Sequence, residues 1–501
     1  MTGEINQTEE LIRCAQELKE KFRLDPHRPK YHFMPSFAWM NDINGAIFWK
    51  GRYHIFYQHN PDGAYWKWMQ WGHASSVDLV HWVNHPIALT PTLQGPDRDG
   101  CFSGGAFVNK KGVPTFIYHG VPEGTCIATS EDDMLIHWTK HPANPVLRVP
   151  QPGDEGYGQY IVFDPCAWVD GDTYYALIGN RVPGVSGDGT SLFKSLSLAH
   201  WEYVGAFYQS ERRWTDADED CAVPDFFPLG DKHILLFCSH LQGTQYYIGQ
   251  LEGNQYHPET HGWMSWPGGH LGGPRTLLDG KGRRLFFDWI RELRGGDRER
   301  ASGWSGVMTL PRMLSLASDG SLLLEPVPEL EVLRLNHRKH ENIYLSADSE
   351  LTLNDVRGAC LELVVEIAFD EAREFGVKVR CAPDGAEQTS IVCVPGEKSL
   401  QVDISTSTLD ESIKYFYYRS GKAERTVEAQ KAPFILSPGE TLRLHIFLDR
   451  SVLEVFANGR QCITQRIYPV RSDSLNVVLF NRGGSVNVQS VDVWNMASTV
   501  E

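Results

Sequence analysis

The amino-acid sequence predicts an all-β protein in which a five-bladed β-propeller precedes a C-terminal β-sandwich. Short runs of apolar and aromatic residues alternate with clusters of Gly, Pro, Asn and Asp along most of the chain, which is typical of many short strands. A segment ending in His-Trp recurs in the first half, and from about residue 345 Trp becomes rare. At 501 residues the chain is long enough for two domains.

The first 29 residues are predicted to form a helical extension. Apolar residues at helical spacing place one stripe along a helix from Glu9 to Phe22. The stripe consists of Leu11, Ile12, Ala15, Leu18 and Phe22.

Residues 30–335 are predicted to form the propeller. The repeated segment comprises Ser76–Trp82, Asp133–Trp138 and Leu196–Trp201, and its copies are about 60 residues apart, a spacing that suits one blade of four strands. At roughly 55–65 residues per blade the region holds about five blades. We interpret the repeated His81, His137 and His200 as turn and packing residues, not as ligands, because a residue repeated in successive blades is a structural signature. Predicted strands include Gly45–Trp49, Tyr53–Tyr57, Pro114–Tyr118, Thr173–Ile178, His233–Cys238 and Arg284–Trp289.

Residues 336–501 are predicted to form the sandwich, with the charged stretch Arg334–Glu341 as the connector. Alternating apolar and polar residues indicate half-buried strands. These are Leu361–Ile367, Phe375–Val379, Ser390–Val394, Thr441–Leu448, Ser451–Phe456 and Leu475–Phe480.

Composition narrows the possible partners. The formal net charge of -16 argues against binding to a nucleic-acid backbone. The ten cysteines lack CxxC pairs and zinc-ligand spacing, so no metal is expected, and Cys166, Cys238 and Cys360 are predicted to be buried thiols. Met1 to Glu10 is polar and acidic, and no segment approaches the ~20 apolar residues of a membrane span. We therefore expect a cytoplasmic protein without a membrane partner; the oligomeric state stays open.

Acidic residues in unusual settings are the candidate catalytic groups. Asp42 lies in Trp39–Gly45 among aromatic and amide side chains, and Gln58 lies at the end of the next predicted strand. Amide groups and aromatic faces suit a sugar ring. However, Asp-Ile-Asn-Gly is also an ordinary turn sequence. Asp164 ends an apolar run, and Pro165 keeps it extended, although Asp before Pro also opens turns. Asp218–Asp225 precedes an apolar strand, although an acidic run is usually a solvated loop.

Taken together and in order, these segments resemble glycoside hydrolase family 32, the invertase, inulinase and sucrose-6-phosphate hydrolase family. The resemblance covers nearly the whole chain. Its motifs are Trp39–Gly45, Met69–Ala74, Cys101–Gly105, Phe163–Pro165, Glu219–Phe227, Phe447–Ser451, Glu454–Gly459 and Arg460–Pro469.

The resemblance implies a five-bladed propeller followed by a sandwich, and a retaining mechanism without a cofactor. Asp42 is then the nucleophile, Asp164 the transition-state stabiliser, and a carboxyl group of the third motif the acid/base, with nucleophile and acid/base roughly 5–5.5 Å apart. The resemblance also places five residues in the fructose subsite: Asn41, Gln58, Trp66, Phe102 and Ser103. For Trp66 and Phe102 ordinary aromatic packing is an equally good interpretation.

The sequence departs from the family pattern at three places. Ile43 replaces a proline, which changes no reacting group. Phe163 replaces an arginine that would hold fructose hydroxyls. The third motif is two residues longer, so Glu219 and Asp220 compete for the acid/base role. Residue type and reach favour Glu219, whereas the position directly before Cys221 favours Asp220.

The expected function is a retaining β-fructofuranosidase that hydrolyses terminal β-D-fructofuranosides, such as sucrose or short fructooligosaccharides, through a covalent fructosyl-Asp intermediate. A fructosyltransferase would use the same acids and differ only in the group that accepts the fructosyl unit. A non-catalytic carbohydrate-binding propeller is a third possibility, against which the three acidic segments weigh.

Overall fold

The computed structural model describes residues 2–179, 187–416 and 426–499. As predicted, the described part of the chain is mostly strand, and it contains two α-helices, α1 (Thr2–Leu24) and α2 (Gly296–Ser302). Helix α1 is longer than the predicted Glu9–Phe22, and its apolar stripe is only partly covered, since Leu18 and Phe22 are half-buried and Ile12 is exposed. Neither helix is long and apolar enough to span a membrane within the described part of the chain.

Within the described part of residues 38–326, five mainly antiparallel sheets of four to six strands follow one another along the chain, and one further sheet has two strands. The first sheet contains β1 (Ala38–Ile43), β2 (Ile47–Trp49), β3 (Arg52–Asn60), β4 (Gln70–Ser76) and β5 (Val83–Leu89). The second contains β6 (Gly100–Val108), β7 (Pro114–Val121), β8 (Gly124–Thr129), β9 (Thr139–Lys140) and β10 (Leu147–Arg148). The third contains β11 (Pro165–Asp170), β12 (Thr173–Gly179), β13 (Thr190–Ser195) and β14 (Glu202–Tyr208).

The fourth and fifth sheets complete this part of the chain. The fourth contains β15 (Ala222–Leu229), β16 (Lys232–Ser239), β17 (Gly243–Glu252) and β18 (Gln255–Trp263). The following strands are β19 (Arg275–Leu278), β20 (Arg284–Phe287), β21 (Trp289–Ile290), β22 (Trp304–Ser305), β23 (Val307–Met308), β24 (Arg312–Leu316) and β25 (Leu322–Pro326). Strands β19, β20, β24 and β25 form the fifth sheet, β21 pairs with β23, and β22 pairs in parallel with β1. The last pairing joins the end of the region to its beginning.

The repeated His-Trp segment forms the same tight turn before the outer strand of the first three sheets. In each copy a leucine adopts a left-handed conformation, with φ of 67° at Leu79, 56° at Leu135 and 67° at Leu198. The indole nitrogen of the following Trp donates to the carbonyl of that leucine at 3.0, 2.8 and 2.8 Å. The repeated segment is therefore a turn, as predicted, but His81, His137 and His200 are themselves exposed, so the packing role predicted for them is wrong.

Two six-stranded sheets pack together into the C-terminal β-sandwich. Their strands are β26 (Arg334–Leu345), β27 (Glu350–Arg357), β28 (Cys360–Phe369), β29 (Ala372–Cys381), β30 (Thr389–Val394), β31 (Ser399–Asp403), β32 (Ala429–Pro433), β33 (Leu442–Asp449), β34 (Val452–Ala457), β35 (Gln461–Arg466), β36 (Asn476–Gly483) and β37 (Val486–Met496). The sheet orders are β26-β37-β28-β33-β34-β35 and β27-β36-β29-β30-β31-β32, and apolar residues of both sheets share one buried core.

The prediction that Arg334–Glu341 connects the two domains was wrong. Residues 334–341 belong to β26, which pairs with β37, and the connection is the 3₁₀ helix Pro328–Leu333. The charged residues of this stretch are exposed or half-buried. The Arg334 guanidinium lies 4.2 Å from the ring centroid of Trp494, and the His337 ring stacks on the same indole with 4.7 Å between centroids. The sequence stretch looked like a linker because its polar face dominates its composition.

Candidate active site

Asp42 lies in β1 and is held by donors from two sheets. The Ser103 hydroxyl on β6 donates to Asp42 Oδ2 at 2.6 Å, and the Asn41 amide donates to Oδ1 at 3.1 Å. Asp42 is half-buried, so its carboxylate stays accessible while these donors fix its orientation. The sequence placed Asp42 on a turn or strand edge, and the structure places it next to the last residue of the strand.

Gln58 connects the two donors of Asp42. The Asn41 amide also donates to Gln58 Oε1 at 2.9 Å, and Gln58 Nε2 donates to Ser103 Oγ at 2.5 Å. The Trp39 indole donates to Asn41 Oδ1 at 2.7 Å, which fixes the orientation of that amide. The structure therefore brings Asn41, Gln58 and Ser103 together around Asp42 in one buried hydrogen-bond network.

Gly273 lies directly against Asp42. Its carbonyl accepts the Ile43 amide at 3.0 Å, and its φ of +95° lies in the region that favours glycine. A Cβ at this position would lie 2.5 Å from Asp42 Oδ1 and 2.6 Å from Asp42 Cα. The segment before β19 can therefore approach Asp42 only with glycine at residue 273.

Aromatic rings form an arc that links the remaining site segments. Trp66 and Phe102 have ring centroids 5.4 Å apart, followed by Phe102–His119 at 6.1 Å, His119–Phe163 at 5.8 Å and Phe163–His240 at 6.3 Å. Trp66, at one end of the arc, is 53% exposed. The Phe163 ring is therefore part of this arc, at the position where the resemblance implies an arginine.

Asp164 is buried immediately before β11. The Pro165 carbonyl that follows accepts a 3.5 Å hydrogen bond from Arg275 Nη2. Arg275 also donates to the carbonyls of Asn44 and Gly104, so one guanidinium links the segments that carry Asp42, Ser103 and Asp164.

Glu219 is a buried carboxyl group with neutral donors. Its Oε1 accepts the Asp216 amide at 2.9 Å, and its Oε2 accepts Gln245 Nε2 at 2.7 Å. Gln245 Oε1 in turn contacts His261 Nε2 at 2.7 Å. Burial raises the pKa of Glu219 more than these hydrogen bonds lower it. A carboxyl group in this setting tends to keep its proton.

Asp220 is also buried, but it is engaged with His240. Its Oδ1 accepts the His240 amide at 2.8 Å, and its Oδ2 contacts His240 Nδ1 at 2.6 Å. Burial, followed by the negative charges of Asp42, Asp288 and Asp220, raises the pKa of the Cys238 thiol. The charges of Asp42 and Asp220 therefore both act on this one thiol.

The sequence did not reveal several residues of this region. Gln245 and His261 lie within strands and have no unusual spacing, whereas the Gly272-Gly273-Pro274 run could have indicated the close approach to Asp42. Within residues 2–179, 187–416 and 426–499 no group of three or more His, Cys, Asp or Glu side chains could hold a metal ion. Cys166 and Cys238 are buried free thiols, and Cys360 is half-buried.

Comparison with known proteins gives a consistent result. Residues 32–326 match the glycosyl hydrolases family 32 N-terminal domain, and residues 329–495 match the family 32 C-terminal domain. A sucrose-6-phosphate hydrolase of Zymomonas mobilis is 32% identical over 93% of this chain and 92% of its own, and one of Escherichia coli is 30% identical over 98% and 100%. The fold is similar to that of fructan 1-exohydrolase IIa from Cichorium intybus, with a TM-score of 0.83, 24% identity and coverage of 95% and 98%. The chain belongs to glycosyl hydrolase family 32.

Proposed function

We propose that this glycoside hydrolase is a retaining β-fructofuranosidase that hydrolyses terminal β-D-fructofuranosides, such as sucrose or short fructooligosaccharides. The observation that carries the proposal is the half-buried Asp42 carboxylate, oriented by Ser103 and Asn41. The relatives named sucrose-6-phosphate hydrolase support the substrate class.

The five sheets of residues 38–326 are, in this proposal, five blades around one axis. Supporting this are the order of strands within each sheet and the parallel pairing of β22 with β1. The propeller then follows the extension of residues 1–29 and begins at residue 30. Its end lies at Pro328–Leu333, a few residues before the expected 335, because β26 already begins at Arg334.

Asp42 acts as the nucleophile. One oxygen of its carboxylate attacks C2 of the fructosyl unit while the bond from C2 to the glycosidic oxygen breaks, and the acid gives its proton to that oxygen. Water then attacks C2 of the fructosyl-Asp42 ester, losing a proton to the same acid/base group, and the ester bond to Asp42 breaks. The hydrogen bonds from Ser103 and Asn41 set the direction of attack and support the carboxylate as it leaves.

Glu219 is our assignment for the acid/base. Its burial and raised pKa suit a group that must carry a proton before it can donate one. Asp220 is the alternative: its charge acts on the same Cys238 thiol as the charge of Asp42, but both its oxygens are engaged by His240. In our assignment Asp220 orients His240 and transfers no proton.

The remaining roles concern binding of the fructosyl unit. Asp164 stabilises the transition state by accepting hydrogen bonds from fructosyl hydroxyls. Asn41, Gln58 and Ser103 form the polar side of the subsite, and Trp66 and Phe102 offer ring faces to the C–H groups of the sugar. With Phe163 in place of the family arginine, the sugar meets an apolar ring beside Asp164.

The test is glucose and fructose release from sucrose by Asp42→Asn, Glu219→Gln and Asp220→Asn, with exposed Asp370→Asn in the sandwich as the matched control. We expect Asp42→Asn to lose at least roughly 10⁴-fold in kcat. Glu219→Gln should lose most activity on sucrose, because the leaving glycosidic oxygen needs the proton of the acid. On a fructoside with an activated leaving group, azide should restore the rate of this variant, because azide attacks the fructosyl ester without base assistance. Equal glucose and fructose release distinguishes hydrolysis from fructosyl transfer.

Two outcomes would contradict these assignments. An active Asp42→Asn enzyme would eliminate the covalent mechanism altogether. Near-normal activity in Glu219→Gln, with loss and azide rescue in Asp220→Asn, would move the acid/base role to Asp220. Sucrose 6-phosphate, measured in parallel, decides whether the phosphorylated sugar is preferred.

A further inference from the structure

Arg275 is a buried arginine that joins the first strands of the sheets. It is the first residue of β19, and only 2% of its surface is exposed. Its Nε donates to the Asn44 carbonyl at 3.1 Å, just beyond β1, and to the Gly104 carbonyl in β6 at 2.8 Å. The Nε atom of Arg275, which belongs to the fifth sheet, therefore connects the first sheet to the second.

The other two nitrogens of the guanidinium reach the third and fourth sheets. Nη2 donates to the Pro165 carbonyl in β11 at 3.5 Å. Nη1 donates to the carbonyls of Val223, at 3.4 Å, and Pro224 in β15. A single side chain thus binds the main chain of four sheets while belonging to a fifth.

The bound carbonyls lie close in sequence to the candidate catalytic residues. Asn44 is two residues after Asp42, and Pro165 directly follows Asp164. Gly104 directly follows Ser103, the donor to Asp42.

In the fourth sheet, too, the carbonyls that Arg275 binds lie close in sequence to candidate catalytic residues. Val223 comes three residues after Asp220 and four after Glu219. It adopts a φ of 49° where the pairing of β15 with β16 shifts register. The guanidinium therefore fixes the main chain at the irregular position that decides where the third-motif acids point.

The chemistry of the guanidinium suits a positioning role. It is planar and rigid, and its five N–H groups diverge in fixed directions, which a lysine ammonium on a flexible stem cannot reproduce. Burying a charge is unfavourable unless its hydrogen bonds are satisfied, and these hydrogen bonds end on main-chain carbonyls. These hydrogen bonds set the distances among four segments of main chain that lie next to the proposed catalytic residues.

We infer that Arg275 is a positioning residue of the active site. Its guanidinium holds in register the strands that carry Asp42 and Ser103 and the strands that begin just after Asp164 and the Glu219–Asp220 segment. The inference rests on the proposed function for its catalytic consequence. It does not assign Arg275 any contact with the sugar.

The test compares Arg275→Lys with Arg312→Lys. Arg312 is a matched control, because it is also fully buried and lies in the same sheet, on β24, but its hydrogen bonds go to Glu454 and Thr464 of the sandwich. For Arg275→Lys we expect kcat on sucrose to fall roughly 10²-fold with KM changed less than about threefold, because misplaced catalytic groups slow the reaction more than they weaken binding. Arg312→Lys should lower Tm and leave kcat within about twofold.

A second variant separates positioning from loss of stability. Arg275→Ala leaves a space that free guanidinium, at non-denaturing concentration, can occupy, and we expect added guanidinium to raise its kcat without affecting the wild type. If Arg275→Lys is folded at the assay temperature and keeps kcat within about twofold, the inference is wrong. It is equally wrong if Arg312→Lys loses the same factor of kcat.

Crystal structures of the two lysine variants provide a readout that does not depend on activity. We expect the main chain at Asp42, Ser103 and Asp164 to shift in Arg275→Lys and to superpose on the wild type in Arg312→Lys. Unchanged strands in Arg275→Lys overturn the positioning role. A wild type that cleaves no fructoside refutes the proposed function instead, and the structural comparison still decides the role of Arg275.

Discussion

The Ser103 hydroxyl donates a 2.6 Å hydrogen bond to Asp42 Oδ2, linking the second sheet to the first. The same Ser103 oxygen accepts Gln58 Nε2 at 2.5 Å, so the Gln58 amide leaves the serine proton directed at the carboxylate. A charge-assisted hydrogen bond of this kind is stronger than one between neutral groups. Ser103 therefore restrains the proposed nucleophile more tightly than its small side chain suggests.

Ser103→Ala is expected to lower kcat/KM on sucrose by roughly 10- to 100-fold, the loss expected for one hydrogen bond to a charged group. The fold should be retained, since the change removes a single atom. Steady-state kinetics, with Tm from calorimetry, measures both. Ser407→Ala, at a buried serine of the sandwich that donates to the Ile404 carbonyl, is the control and should keep full activity. A Ser103→Ala enzyme within about twofold of the wild type would contradict the role given to this hydrogen bond.

Gly273→Ala should inactivate the enzyme through Asp42. The added Cβ would overlap Asp42 Oδ1 and Cα, so either the carboxylate or the main chain must move. We expect kcat to fall by roughly 10²-fold or more, since a displacement of about 1 Å can have an effect of this size. The measurement is kcat on sucrose, together with Tm.

Gly282→Ala is the matched control for this substitution. Its φ of +78° imposes a similar backbone strain, but a Cβ there meets no atom within 4 Å. It should lower Tm slightly, for a destabilisation of about 1 kcal/mol, and leave kcat unchanged. Equal losses of kcat in the two variants would show that strain, not contact with Asp42, is responsible.

The part of the site that could be predicted from the sequence consists of residues that lie close together along the chain. Asn41 and Asp42 are neighbours, and Gln58 lies on the adjoining strand, so a motif carries them together. Arg275 could not be identified in this way, because its partners lie 51 to 231 residues away and meet only when the sheets close around an axis. The choice between Glu219 and Asp220 stayed open because the chain shifts register between Ala222 and Asp225, and periodicity cannot predict a bulge.

Asp288 predicts a pH-dependent change in stability. It is fully buried, and burial, with a further contribution from the charge of Asp42, raises its pKa from 3.8 to about 8 in spite of Arg312. Between these two values the unfolded chain has released a proton that the folded protein retains. The free energy of unfolding therefore falls as pH rises from 3.8 towards 8, and the loss is constant above it.

Asp288→Asn removes this titration, so the Tm of the variant minus that of the wild type should increase from about pH 5 to about pH 8. Differential scanning calorimetry at a series of pH values measures it. The exposed Asp370→Asn serves as the control and should show a much smaller trend. A Tm difference that stays constant or falls over this range would show that Asp288 is ionised in the folded protein at neutral pH.

His32 joins the two halves of the molecule through a buried charge network. Its Nδ1 lies 2.9 Å from Asp449 Oδ2 and its Nε2 3.4 Å from Glu454 Oε1, and Arg312 binds the other oxygen of Glu454 at 3.1 Å. Asp449 also accepts the main-chain amide of His32 at 3.0 Å. Burial alone would lower the pKa of His32, but the hydrogen bonds and charges of Asp449 and Glu454 reverse this, and the pKa is raised above 6.5.

His32→Gln should therefore destabilise the protein in a pH-dependent way. The contribution of a histidine with a raised pKa is complete below the unfolded value of 6.5 and is lost as pH rises through the folded value. Despite burial, the pKa of Asp449 is lowered by the hydrogen bond and charge of His32, and the pKa of Glu454 is lowered by the charge of Arg312 and then by His32. Both carboxylates therefore stay ionised between about pH 5.5 and 8.5. At about pH 5.5 the substitution leaves the buried Asp449 carboxylate without its cation, whereas Glu454 keeps Arg312. We expect a loss of about 3 kcal/mol, with a smaller loss at about pH 8.5. His81→Gln, at an exposed pair with Asp78, should change Tm little at either pH, as surface pairs generally do. Chemical denaturation at the two pH values gives both losses, and a larger loss for His32→Gln at the higher pH would mean that His32 is neutral in the folded protein.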